Sequence, residues 1–302
     1  MPWTLSADSP PATKPQRIAT GTIAADEIVY DLLRETDQLK RLIAVSTLWG
    51  HPKYSHFKDL PAHIQGRVGN SVEGLLALKP DLVLLASYNQ PDFIRQIQQA
   101  NVEVAIQNRF RSVQDIYQNI GEIGKLIGLP QAAAQMTKTM KSRLTSLANK
   151  PLRDGQGQKL TYLNYSPYGT FLGAETSFHS LITSLDGINL TAKQGLSGWV
   201  KISDEILVTL DPDFIIASIG PDGEEPVRQH LNASIWQHLP AVQQDRILLI
   251  PEKDLLSVSH RFADTAEQIH SKVKRRLKAQ NGSAKTTTNT GSISSGTHSK
   301  SQ

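Results

Sequence analysis

The chain has 302 residues, a formal net charge of +4, 39% hydrophobic residues and no cysteine. Within these residues no disulfide, thiolate metal site or lipid-anchoring cysteine is expected. Lys and Arg are scattered rather than clustered, which argues against nucleic acid, and no apolar run approaches the 18 residues a spanning helix needs. The length suffices for two α/β lobes, each expected to have its own core.

Residues 1–16 (MPWTLSADSPPATKPQ) are Pro-rich and polar and read as a disordered leader, without the apolar stretch of a signal peptide. A strand-like run at 17–22 (RIATGT) opens the first lobe, followed by a helix over 24–34 and a strand over 42–46. The aromatic- and His-bearing stretch 47–54 (TLWGHPKY) comes next. A strand at 83–86, a helix near 91–100 and a strand at 102–106 continue the alternation expected of a parallel sheet covered on both faces. The helix over 112–128 opens with a capping-box-like pair, Ser112 and Asp115. Pro130 starts a further helix to about Asn149, with Ala133, Met136, Met140 and Leu144 on one face. The second lobe follows from 151: a strand at 160–164, a helix at 178–185, strands at 214–217 and 247–250, a short helix at 235–239, and a last helix at 263–277. From Asn281 half the residues are Ser or Thr, which predicts a disordered tail over 281–302.

One segment occurs twice. Residues 71–84 read SVEGLLALKPDLVL and residues 203–216 read SDEILVTLDPDFII, aligned without a gap at an offset of 132 (205 − 73). In each, a Ser is placed to cap a short helix, the helix stops before Pro, and an apolar strand follows Asp. Two copies imply two similar lobes, with a cleft between them as the place for a ligand. Glu73 and Glu205 occupy first-turn positions, where the helix dipole favours an acid; exposed, they would also suit docking onto basic residues of a partner.

Candidate ligand contacts sit in loops: Trp49, His51 and Tyr54 after one strand, Tyr165 and Tyr168 in the same kind of place in lobe two, Arg109 after the last lobe-one strand, Trp199 in the Gly-rich loop before the second repeat copy, and His260 before the final helix. The alternative for each aromatic is a packing anchor for its own loop. Arg109 and Arg111 flanking Phe110 would suit an anionic ligand through planar guanidinium contacts. His51 and His56 do not share a helical face and have no acidic triad beside them, so no metal site is assigned. No G-x-S-x-G, H-E-x-x-H or Walker loop is present, and no catalytic residue is assigned.

The runs RIATGTIAADEIVYDL, RLIAVSTLWGHP, VGNSVEGLLALKPDLVLLAS and WVKISDEILVTLDPDFIIAS resemble the helical-backbone periplasmic binding proteins that deliver ferric siderophores, haem or cobalamin to ABC importers. The resemblance covers roughly residues 17–280. It implies two Rossmann-like lobes (17–129 and 151–280) with parallel sheets, joined by one long helix over 130–150. It implies a non-enzymatic, monomeric carrier in the periplasm, with export inferred from the family, no cofactor of its own, and iron or cobalt held by the ligand. It implies Glu73 and Glu205 as docking acids for a permease that works with its ATPase, and strand-end loops as the ligand contacts, which adds Tyr88 to the residues named above. The first expectation for the ligand is a ferric siderophore or similar iron chelate, with cobalamin or haem as the alternative within the family. A cytosolic tetrapyrrole metal chelatase and a ligand-free scaffold are the alternatives outside it.

Overall fold

The computed structural model describes residues 4–5, 14–69, 71–166, 169–232 and 235–289. Lobe one contains β1 (Thr4–Leu5), β2 (Ile18–Thr20), α1 (Ile23–Glu35), β3 (Leu42–Ser46) and β4 (Gly66–Val68). It continues with α2 (Val72–Ala77), β5 (Leu82–Ala86), α3 (Pro91–Gln99), β6 (Glu103–Gln107) and α4 (Val113–Leu126). Helix α5 (Pro130–Ala148) leads into lobe two. There the chain forms β7 (Thr161–Tyr165), β8 (Phe171–Leu172), α6 (Ser177–Ser184), β9 (Ile188–Asn189), α7 (Leu190–Lys193) and β10 (Trp199–Val200). Then come α8 (Asp204–Leu207), β11 (Phe214–Ile219), α9 (Glu225–Leu231), α10 (Pro240–Gln243), β12 (Ile247–Pro251), α11 (Glu252–Leu255) and α12 (Phe262–Asn289).

The lobe-one sheet has the order β1-β6-β5-β2-β3-β4 and is parallel except at its β1 edge. The lobe-two sheet, β12-β11-β7-β9, is parallel throughout, with a separate antiparallel ribbon of β8 and β10. Two expectations at the chain's ends need correction. Thr4 and Leu5 pair with Ile106 and Ala105, because β6 would otherwise leave its outer edge open, so part of the leader is ordered. The last helix runs on to Asn289, since extending an existing helix adds one hydrogen bond per residue fixed, so residues 281–289 are not the coil expected of the tail.

Side chains of the central strands alternate between two cores, except in β3, where Ile43 and Ala44 both join the outer cluster beside a register shift against β2. In β5, Leu82 and Leu84 face a large central cluster, while Val83 and Leu85 face an outer cluster over α2 and α3. In β11, Phe214 and Ile216 face the same central cluster, and Ile215 and Ala217 face an outer cluster over α8 and α9. The central cluster also takes in Leu32, Ile120, Met140, Phe178 and Ile269, from helices α1, α4, α5, α6 and α12. The lobes therefore share an apolar layer between their sheets, and the expectation of one separate core per lobe is replaced by a three-core arrangement. The expected joining helix, α5, is a packed member of that layer. Arg143 of α5 donates to Asp264 and Glu267 of α12, and Ala133 of α5 lies against Gly124 of α4.

Both repeat copies build the same joint. Asp81, after Pro80, accepts the backbone N–H groups of Gln16 and Arg17 at the start of β2; Asp213, after Pro212, accepts the N–H of Thr161 at the start of β7. They differ at the cap. Ser71 Oγ accepts from Gly74 N at 2.9 Å, whereas Ser203 makes no such bond, so the expected second cap is absent. The capping box of α4 forms as expected, with Ser112 and Asp115 bonded reciprocally.

Asp26, fully buried in the first turn of α1, joins β2 to β3. It accepts from Thr20 Oγ1 at 2.5 Å and from the N–H and hydroxyl of Ser46 at 3.0 and 2.5 Å. Burial pushes its carboxyl up to about 7, against the downward pull of the Ser46 and Thr20 hydrogen bonds, and the neighbouring Glu27 charge adds to the rise.

Two predictions follow from these contacts. A Cβ on Gly124 would stand 2.2 Å from Ala133 Cβ, whereas one on Gly121 meets nothing within 4 Å. Gly124→Ala should cost about 1–3 kcal/mol in urea unfolding, and Gly121→Ala should stabilise by about 0.5–1 kcal/mol; equal effects would mean α4 and α5 are not in close contact. Asp26 binds its proton more tightly folded than unfolded, so it costs stability progressively as pH rises from about 4 through 7. Asp26→Asn should therefore gain on the parent protein between pH 4 and 8, by on the order of 2–4 kcal/mol. A pH-independent difference would show that Asp26 titrates alike in both states.

Candidate functional site

The chain order of lobe one reverses beside β2: β3 and β4 lie on one side of it, β5 and β6 on the other. Ligands of open parallel sheets bind outside the strand C-termini at such a point. A cavity of about 440 Å³ lies there, within the usual size of a small-molecule site. Its lobe-one wall comes from the ends of β2 (Gly21, Thr22), β3 (Thr47, Leu48), β4 (Val68, Gly69) and β5 (Tyr88, Asn89). Its opposite wall is lobe two, from Glu252 and Lys253 of α11 to Val258. A Cβ on Gly21 would meet Leu85 Cδ2 at 2.5 Å, so a larger residue in this wall would have to displace that buried side chain.

The structure sorts the nine expected ligand contacts. Tyr54 and Tyr88 line the cavity. Tyr88 has 65% of its surface exposed, yet its hydroxyl bonds to Thr22 and burial of that end raises its pKa. Trp49 does not reach the cavity. It is 3% exposed, stacked on Phe57 at 3.9 Å and edge-on to Tyr30, with its indole N–H on Asp59 O: a packing anchor for its own loop. Tyr165 is likewise buried, against His230 and Trp236, because it is the last inward residue of β7, two beyond Leu163. His51 stacks on Tyr54 from outside the cavity lining. Trp199 is 59% exposed on β10 and is not part of the lining. Tyr168 lies outside the described residues.

Arg109 is drawn away by an ion pair to Glu122 at 2.8 Å and lines a different hollow with Asn108, Arg111 and Asp115. The expected arginine pair is therefore not at the cavity. His260 belongs to a polar seam between the lobes, 2.9 Å from Asp31 of α1. Arg261 reaches Asp31 at 3.1 Å and Glu27 at 3.7 Å. Ser259 donates to Glu27, and His56 bridges Glu27 to Asp254. Within the seam, burial raises the pKa of Asp31, but its hydrogen bond to His260 and the charges of His260, Arg261 and Arg34 outweigh that and hold it below the usual carboxylate range.

Sequence reasoning missed Glu27, Phe93, Glu252 and Lys253 as cavity residues. For Glu27 the available signal was its i, i+4 pairing with Asp31 beside the apolar positions Ile28, Val29, Leu32 and Leu33; the other three carried none. Two charges of the cavity wall are internally matched: Glu27 by His56 and Arg261, and Glu252 by Lys53 at 3.4 Å. Among the described residues, no group of three or more His, Asp or Glu is placed to hold a metal, and no helix is long and apolar enough to cross a membrane. The repeat acids are elsewhere. Glu73 and Glu205 are fully exposed, each held below its ordinary pKa: Glu73 by its own backbone N–H and then Ser71, Glu205 by Ser203 and then its own N–H.

Comparison with known proteins agrees with this architecture. A family model described as periplasmic binding protein matches residues 18–253. Over 190 residues the chain is 29% identical to an uncharacterized ABC transporter substrate-binding lipoprotein, YvrC, of Bacillus subtilis, covering 60% of this chain and 58% of that one. It is 25% identical over 153 residues to the cobalamin-binding protein of Halobacterium salinarum, covering 50% and 41%. The match thus spans less than two thirds of either relative's length. A possible iron-binding (periplasmic solute-binding) protein from Staphylococcus epidermidis shares the fold, with a TM-score of 0.74 at 18% identity over 86% of this chain and 99% of that one. Two parallel-sheet lobes, a cavity between them and a family match over most of the chain lead to one assignment: the chain belongs to the periplasmic binding protein family.

Proposed function

We propose that this protein is the solute-binding component of an ABC importer, working outside the cytoplasmic membrane. It would capture a small metal chelate between its lobes and hand it to a permease coupled to an ATPase. The observation that carries this reading is the cavity itself, formed at strand ends of one lobe and closed by the other. The role is one of binding, with no catalytic group assigned.

The lining supports a choice of ligand. Tyr54, Tyr88 and Phe93 offer aromatic surface, the wall's carboxylates are already paired, and the arginines suited to an anion lie in another hollow. Lys253 adds one positive charge to the wall, too little to balance a triply negative ferric catecholate, so a neutral ferric siderophore of the trihydroxamate type fits better. A corrinoid is the second reading, favoured by the cobalamin-binding relative. Docking would use Glu73 and Glu205, exposed and ionised in equivalent positions of the two repeat copies.

Fluorescence and absorbance titrations with a ferric trihydroxamate, a ferric catecholate, ferric citrate, haemin and cyanocobalamin test the ligand. One neutral chelate should bind saturably below about 1 µM, and Tyr88→Ala should weaken it about tenfold or more; saturable binding of the catecholate alone would reverse the charge argument. For docking, Glu73→Lys with Glu205→Lys should abolish uptake in cells and leave affinity unchanged. Lost affinity would instead put these acids in the ligand site.

A further inference from the structure

Segment 49–57 is fastened at both ends and bolted in the middle. Its ends are Trp49 and Phe57, stacked at 3.9 Å and 7° against each other and seated beside Tyr30 in the lobe-one core. Its middle leaves lobe one and meets α11 of lobe two twice: Lys53 Nζ lies 3.4 Å from Glu252, and His56 Nε2 lies 2.8 Å from Asp254. The other ring nitrogen of His56 bonds Glu27 of α1, so one imidazole spans both lobes. Between the two bolts stands Tyr54, in the cavity wall. Glu27 is shared, being both a cavity residue and the acceptor for His56 and Ser259.

We propose that His56 is a positioning residue for the ligand site: it pins segment 49–57 across the cleft as a strap, holds Tyr54 in the wall, and lets ligand exchange only when the strap unbolts from α11. The proposal rests on the cavity being the ligand site. A carrier that must hold its cargo and then surrender it needs a contact of this kind, strong while the lobes face each other and lost when they part.

The charged groups around His56 favour the bolted form. Facing it are Glu27 from α1 and Asp254 from α11. Arg261 lies 3.7 Å from Glu27 and over the Phe57 ring at 5.5 Å, while Lys53 is turned to Glu252. Burial works against a charged ring, but hydrogen bonds to Asp254 and Glu27 and their charges outweigh it and push the pKa of His56 up to about 9. A raised histidine pKa means the contact is fully present below the ordinary value near 6.5 and is lost as pH rises through about 9.

Amide hydrogen exchange of the full-length protein tests the strap without any ligand. At pH 7, His56→Ala combined with Lys53→Ala should exchange the strap amides at least about tenfold faster than the parent, while the amides of β2, β3 and β5 are unchanged. After correction for intrinsic rates, the parent should gain the same mobility at pH 10 and the variant should gain none. Should the double variant fail to fold, His56→Gln, which loses the charge and keeps the size, is measured instead. Unchanged strap exchange in a folded variant overturns the proposal.

The native absence of cysteine permits a second arm. In Lys53→Cys/Glu252→Cys, a short bismaleimide cross-link should slow the uptake and release of cyanocobalamin, haemin or the ferric trihydroxamate about tenfold or more, relative to the unlinked protein. Equal rates would remove the gating role. If none of the three probes binds, the ligand reading has failed separately, and the exchange measurement still decides whether His56 bolts the strap.

Discussion

Helix α1 sets a constraint that much of the molecule answers. Its one face packs Ile28, Val29, Leu32 and Leu33 into the central core, and it also carries Asp26, Glu27 and Asp31 out of water. A carboxylate buried without partners costs several kcal/mol or more, so each of the three must be met by donors. Asp26 is met within lobe one by Thr20 and Ser46, which ties the ends of β2 and β3 together. Glu27 and Asp31 are met from lobe two by Ser259, His260 and Arg261, and from the strap by His56. The turn before α12 and the path of the strap are thus set by the same helix that shapes the back of the cavity.

On the proposed reading, this arrangement separates two tasks. The cavity residues lie where the lobes meet, on strand ends and on the strap. The acids read as docking groups lie on α2 and α8, helices that cover the outer faces of the sheets. If that reading holds, cargo recognition can change through Tyr54, Tyr88 and Phe93 without touching the surface that would meet a permease. The charge of the wall matters as much as its shape. The matched carboxylates present little net field to an incoming molecule, Lys253 adds a positive charge on the lobe-two side, and aromatic surface supplies much of the remaining wall.

Much of the fold was legible because periodicity was long enough to read. Helices α1, α4 and α5, strands β3, β5 and β11, and the Ser112–Asp115 capping box stood out from pattern and cap residues. Strands β4, β8, β9 and β10, of two or three residues, are too short to leave a period. The site was less legible, and its misreadings have particular causes. Tyr165 was read as a loop residue because β7 runs one residue past the expected end, and alternation then turns the ring inward beside Leu163. Trp49 is explained by Phe57 eight residues on, a partner that no spacing rule predicts. The seam joins Glu27 to Ser259 across 232 positions, a pairing that only the folded chain reveals.

The alternation of β5 and β11 between two cores bears on what a single substitution can disturb. Each repeat strand turns one set of side chains to a core private to its lobe and the other to the layer the lobes share. A change at Val83 or Ile215 is felt inside one lobe, whereas a change at Leu84 or Ile216 is felt by both, because those side chains lie in the common layer. The same layer that stabilises each sheet therefore also fixes where one lobe stands against the other, and a repacked centre would alter the shape of the cleft without a single substitution in its wall.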